Sequence, residues 1–179
     1  ELEAINNVSA ALVKEIDLNA LLDLVGAQMC KIFKADIAYI ALLDEARQMI
    51  DFPFTCGEDL GPIRLGEGLT SIILQSNQPL LIEKDLDQRL LEMSATVIGR
   101  KPLSYLGVPV IVSGRALGVL SVMSTTQEDV YSQSDLRLLS TIASNVGTAL
   151  HNAQLFTEAQ QARSAAEKPT RQRAPFWPI

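Results

Sequence analysis

The sequence predicts an α+β fold, and three observations carry that reading. Apolar residues recur at helical spacing near both ends of the chain, strand-like runs fill its middle, and two of those runs are joined by a turn too short for a helix. The 179 residues are 47% apolar and 20% charged, and a chain of this length is within reach of one hydrophobic core, which serves about 100–200 residues. A chain disordered throughout is excluded.

Between residues 2 and 13, Ile5, Val8, Leu12 and Val13 share one helical face, and Leu18, Leu21, Leu22, Val25, Met29, Ile32 and Phe33 mark a second helix. Asp17 is placed to cap it, since a carboxylate there accepts from the free amides of the first turn. The period then changes. Residues 37–43 read as a buried strand and 49–54 as its partner, across a turn at 44–47. Pro53 lacks a ladder donor and places that partner near a sheet edge.

Residues 57–68 hold four glycines and one proline. They form a loop that feeds a short helix over 69–76, which Asn77-Gln78-Pro79 ends. A short strand follows at 80–82. Residues 83–101 are the least regular stretch, with one helical signal over 90–97. The runs 104–112 and 116–124, joined by Ser113-Gly114-Arg115, are the clearest hairpin. Ser132 and Asp135 form a capping pair, with Asp in place of the usual Glu, ahead of a helix expected to run past residue 160.

That last helix carries two apolar stripes. Leu136, Leu139, Ala143, Val146, Leu150 and Ala153 alternate steps of three and four, the seam of a helix that pairs along its length. Leu138, Ile142, Ala149 and Phe156 form the second face. One stripe is expected on the domain's own sheet and the other against a second copy, with Leu136, Leu139, Ala143, Val146 and Leu150 as the dimer seam. The alternative is that both stripes are buried within a monomer.

Several function classes are excluded by composition. The formal net charge is −6; residues 163–179 contribute +3, which leaves −9 on residues 1–162, and an acidic body does not bind nucleic acid nonspecifically. No apolar stretch reaches the ~20 residues of a bilayer span, and the N-terminus lacks a basic segment followed by an apolar one. A cytoplasmic setting without membrane contact is expected. The chain opens on Glu1 rather than methionine, so sequence upstream of it is expected. Cys30 and Cys56 are too few for a disulfide scaffold and are read as reduced thiols. His151 is the single histidine, so a histidine-rich metal site is excluded, and it is expected at an exposed helix position.

Two segments resemble the GAF domain, the sensory module of many bacterial signalling proteins. Residues 65–82, Leu-Gly-Glu-Gly-Leu-Thr-Ser-Ile-Ile-Leu-Gln-Ser-Asn-Gln-Pro-Leu-Leu-Ile, are similar to the family's Gly-x-Gly helix and the Asn-x-Pro strand after it. Residues 104–122 are similar to its central hairpin. With 135–150 the similarity spans about residues 17–157, which leaves 1–16 as a connecting helix and 158–179 as a helix extension and irregular basic tail. The resemblance implies a central, mostly antiparallel sheet with helices packed on one face, long N- and C-terminal helices, and a homodimer formed through them. It also implies that a small ligand, where one binds, lies between the sheet and residues 83–103.

The resemblance is specific for the fold and open for the ligand. Family members that carry covalent bilin share a Cys-His pair that nothing in 83–103 supplies. Haem would need an axial histidine that His151 is poorly placed to provide. Residues 126–135 lack the Asn-Lys-Phe-Asp-Glu signature of cyclic-nucleotide binders. No bilin, haem, metal or catalytic residue is therefore expected, and the cofactor is unknown. Asp85, Arg89, Arg100, Lys101, Ser104 and Tyr105 are the polar groups of the irregular side and form a candidate site for an unidentified small molecule. The alternative is a solvated surface over a filled core. The expected function is a noncatalytic sensory and relay domain, upstream of a histidine kinase or similar output of a two-component system. The alternatives are a thiol-based reductase working through Cys56, with Cys30 a buried apolar residue, or a purely structural dimerisation module.

Residues 168–179 break the helical trend, with Pro169, Pro175, Pro178 and Trp177. One back-translation of this segment, read two bases on, becomes Ala-Asn-Glu-Ala-Lys-Ser-Ala-Phe-Leu-Ala-Asn. That peptide is similar to the linker before the phosphoacceptor helix of sensor histidine kinases. One reading of the tail is therefore the product of a frameshift; the alternative is a disordered tail or cloning remnant.

Overall fold

A computed structural model describes residues 18–167; the helix expected over 2–13, the Asp17 cap and the tail 168–179 lie outside the described residues. The strands are β1 (Ile37–Asp44), β2 (Met49–Cys56), β3 (Ile63–Arg64), β4 (Leu80–Ile82), β5 (Ser104–Val112) and β6 (Arg115–Ser124). The helices are α1 (18–32), α2 (Gly68–Ser76), α3 (Leu86–Met93) and α4 (Gln133–Ala166). One sheet holds all six strands in the order β3-β2-β1-β6-β5-β4, with every neighbouring pair antiparallel.

Side-chain alternation along the strands builds two cores. Ala38 and Ile40 of β1, Leu106, Val108 and Val110 of β5, and Leu120 and Val122 of β6 face α1 and α4. Ile37, Tyr39 and Ala41, with Tyr105, Val119 and Met123, face α2 and α3. The continuous apolar run of β1 follows from burial on both sides. Helices therefore cover both faces, and the expectation of helices on one face holds only for the two long terminal ones. Gly107 on β5 makes the second packing close, because a Cβ there would run into Ile73 of α2.

The hairpin turns on two residues, Ser113 and Gly114, with φ of 51° and 80°. Positive φ at both central positions matches the right-handed twist of the strands, so Arg115 already belongs to β6. Pro53 falls where Ile40↔Phe54 gives way to Leu42↔Asp51, a register shift between β1 and β2. It also lies beyond the two β2 residues that β3 pairs, Met49 and Ile50. A residue without an N–H is tolerated at such a bulge and edge. β3 itself interrupts the loop expected over 57–68.

Two elements differ from expectation. The helix expected over 90–97 is α3, which starts at Leu86 and ends at Met93, with Ser94 capping it at a φ of 50°. Leu86, Leu90 and Met93 give it an i, i+4, i+7 apolar face against the second core. α4 keeps the expected cap: the Ser132 Oγ accepts from the Asp135 N–H and the Asp135 carboxylate accepts from the Ser132 N–H. Its first stripe, however, is not available as a dimer seam. Leu139, Ala143 and Val146 are buried in the chain's own core, with Leu136 and Leu150 packed against it. Leu138 of the other face is 44% exposed.

Candidate functional site

A cavity of about 40 Å³ lies on the α2 face of the sheet, between the start of α2 and the irregular residues 97–102. Its floor comes from adjacent strands: Tyr39 of β1, Tyr105 of β5 and Met123 of β6. The Tyr39 hydroxyl is 2.8 Å from the Thr70 Oγ1 and 3.1 Å from the Tyr105 hydroxyl. Phe52 stands edge-on to Tyr39, with ring centroids 5.3 Å apart. Burial pushes the Tyr105 phenol well above its ordinary 10.0, with the neighbouring Tyr39 adding to the effect. The floor thus presents hydroxyls bonded to one another inside an apolar wall.

The rim is a strap. Both carboxylate oxygens of Glu58 accept from the Arg100 backbone N–H, at 3.0 and 3.1 Å, and the Arg100 guanidinium donates to the Gly57 carbonyl at 2.6 Å. Residues 97–102 are thereby tied across the cavity to the loop after β2. The space has room for a few water molecules, so a larger guest requires the strap to give way.

Of the residues singled out in the sequence, Arg100 and Tyr105 line this cavity. Asp85 sits at the exposed N-terminus of α3, Arg89 pairs with Glu92 at 3.1 Å, and Lys101 pairs with Asp87. Neighbours in a strand point to opposite faces, so Ser104 lies on the side of Leu106 and Val108, away from Tyr105. Tyr39, Thr70 and Glu58 complete the site and were not singled out. A period-two reading of residues 37–41 and 104–108 would have found Tyr39, whereas Glu58 had no signal beyond lying in a glycine-rich loop. His151 is half-buried on α4 rather than fully exposed.

Residues 15–151 match the family model of the GAF domain. The chain belongs to the GAF-domain family. Its sequence is 23% identical over 126 residues to the hybrid signal transduction histidine kinase G of Dictyostelium discoideum, covering 66% of this chain and 4% of that protein. Among solved structures, the GAF domain of an Acinetobacter phosphoenolpyruvate-protein phosphotransferase superposes with a TM-score of 0.68 at 23% identity, covering 87% of this chain and 96% of that one. The free methionine-R-sulfoxide reductase of Neisseria meningitidis, solved with its substrate, gives 0.67 at 16% identity, covering 78% and 81%. These structural likenesses show a shared GAF fold. Signalling proteins and reductases both use that fold, so the role of this GAF domain rests on its own residues. No helix among its described residues is long and apolar enough to cross a membrane.

Proposed function

We propose that this GAF domain is a noncatalytic sensory and relay module. It takes a small ligand at the Tyr39–Tyr105 cavity, dimerises along its terminal helices and signals to an output of the histidine-kinase type in a cytoplasmic two-component system. The observation that carries the reading is the reach of α4. The residues that α4 contributes to the domain's core run from Leu136 to Leu150, and the helix continues to Ala166, about 24 Å further at 1.5 Å per residue. A helix that leaves its domain this way suits the transmission of a rotation or shift.

The route is short. Ligand binding biases two arrangements of the strap at 97–102. β5 has Tyr105 on the cavity side and Leu106 and Val108 on the α4 side, so a shift of the strand reaches the helix directly. Close contact supports the coupling, since a Cβ at Gly147 of α4 would lie 2.6 Å from the Ile111 carbonyl oxygen. In this reading residues 17–157 are the sensory unit, 1–16 its connecting helix and 158–179 the extension. The dimer seam moves to the exposed apolar residues of the terminal helices: Leu138 and Leu155 on α4, Leu24 and Ile32 on α1.

The thiol-reductase reading has less support, because Cys56 packs on the terminal-helix face and the cavity lies on the other. Native mass spectrometry of the chain tests the proposal. A dimer is expected, together with a monomer for the Leu138→Glu/Leu155→Glu variant at unchanged circular dichroism. A wild-type chain that is monomeric at micromolar concentration overturns the dimeric relay.

A further inference from the structure

Cys30 and Cys56 are the two cysteines of the chain, and both are free. They come together where α1 crosses β2. Gly26 of α1 lies against Phe54 of β2 so closely that a Cβ at Gly26 would stand 2.2–2.5 Å from three carbons of the ring. Cys30 stands one turn beyond Gly26, about 6 Å along the helix. Cys56 stands two residues beyond Phe54, on the same strand face and about 6.6 Å along. Both cysteines thus lie a similar step from this close contact, and Cys56 adjoins Cys30. Both pack against the same core cluster.

We propose that Cys30 and Cys56 form a dithiol redox site, which a hydroperoxide oxidises to an intramolecular disulfide that ties α1 to β2. The site is separate from the cavity, which lies on the opposite face of the sheet and has no cysteine in its lining. The Cys56 thiolate attacks a peroxide oxygen; an S–O bond forms, the O–O bond breaks, and the departing alkoxide takes up the proton that Cys56 released. Cys56 is then a sulfenic acid. The Cys30 sulfur attacks the Cys56 sulfur; the S–S bond forms, the S–O bond breaks, and hydroxide leaves as water with the Cys30 proton. Two thiols and one hydroperoxide give a disulfide, an alcohol and water, each sulfur losing one electron and the peroxide gaining two.

The order of attack follows from the environment. Burial, together with the adjoining Cys56, pushes the Cys30 thiol up to about 12, so Cys30 keeps its proton at neutral pH and acts second. α1 and α4 share one core through Leu22, Met29, Leu139 and Val146, so a bond that draws α1 onto β2 acts on the pair of terminal helices.

The test uses the reduced full chain, treated with stoichiometric hydrogen peroxide, denatured, alkylated and mapped by peptide mass spectrometry. Both thiols are expected to become unreactive together, with the loss of two hydrogens from the intact mass and a peptide pair linked through Cys30 and Cys56 that dithiothreitol separates. Cys30→Ser is expected to abolish the linked pair and leave Cys56 carrying added oxygen. The proposal is overturned if wild-type Cys56 gains oxygen while Cys30 remains alkylatable. It is equally overturned if both thiols survive a large excess of peroxide, or if linkage occurs only between chains.

Discussion

Two polar residues show how single side chains set the local architecture. Asp36, just before β1, accepts from the Thr125 N–H at 2.8 Å, the Thr126 hydroxyl at 2.9 Å and the Ser124 hydroxyl at 3.0 Å. It thereby fastens the exit of β6 to the start of β1. The Thr125 amide and these hydroxyls hold the Asp36 carboxyl below its ordinary value. A depressed carboxylate stabilises the fold above its unfolded pKa near 3.9, and that stability is lost as pH falls through the folded value. Asp36→Ala is expected to cost about 1.5 kcal/mol at pH 7, the low end for bonds to a charged group. The variant should also show a shallower acid limb in urea-unfolding midpoints measured against pH. Tyr105 acts at the other extreme. Its raised phenol keeps its proton when the unfolded chain would lose it near 10, so its contribution is present below that pH and lost as pH rises through the folded value. Tyr105→Phe should flatten the alkaline limb and cost about 1 kcal/mol for the lost bond to Tyr39, read from the same midpoints.

At the scale of elements, α4 decides which apolar residues matter. Leu139→Ala opens a cavity in the core and is expected to cost about 2–5 kcal/mol, while Leu138→Ala, one residue away, should change stability by less than about 0.5 kcal/mol. Chemical unfolding of the two variants separates the buried stripe from the exposed one. The strap over the cavity is held differently, through Glu58 and the Arg100 N–H. Glu58→Ala removes that acceptor, so faster amide hydrogen exchange is expected across residues 97–102, with little change in the exchange of β5 and β6. Unchanged exchange at Arg100 would mean that the strap is held by its apolar contacts alone. Asn77 is a third device: at φ 55° it ends α2, and its side-chain oxygen accepts from the Ala116 N–H at 2.7 Å. A helix stop legible in sequence is thus also a staple to β6.

For the whole molecule, α1 and α4 share one core on one face of the sheet, and the cavity lies on the other face, under the strap at 97–102. Shortening the chain to end at residue 157 keeps every residue that α4 contributes to the core, from Leu136 to Leu150. It is expected to leave the unfolding free energy within about 1 kcal/mol and, because Leu138 and Leu155 are retained, to leave the mass measured by analytical ultracentrifugation that of the same oligomer. Loss of folding in that chain would place residues 158–166 in the stabilising core instead.

Local signals in the chain were enough to determine the α+β class, the hairpin, the α4 capping pair and the family. Each depends on neighbours within a few positions: period, turn residues and capping chemistry. Of the candidate residues, Arg100 and Tyr105 line the cavity, but Asp85, Arg89 and Ser104 were grouped with them only by closeness along the chain. Tertiary structure decided the rest, because a strand sends Ser104 and Tyr105 to opposite faces and because Tyr39, Thr70 and Tyr105 meet only when β1, α2 and β5 pack. It also decided which stripe of α4 is buried, and it brought Cys30 to Cys56. Those pairings join residues far apart in sequence, where the helical and strand periods give directions but no distances.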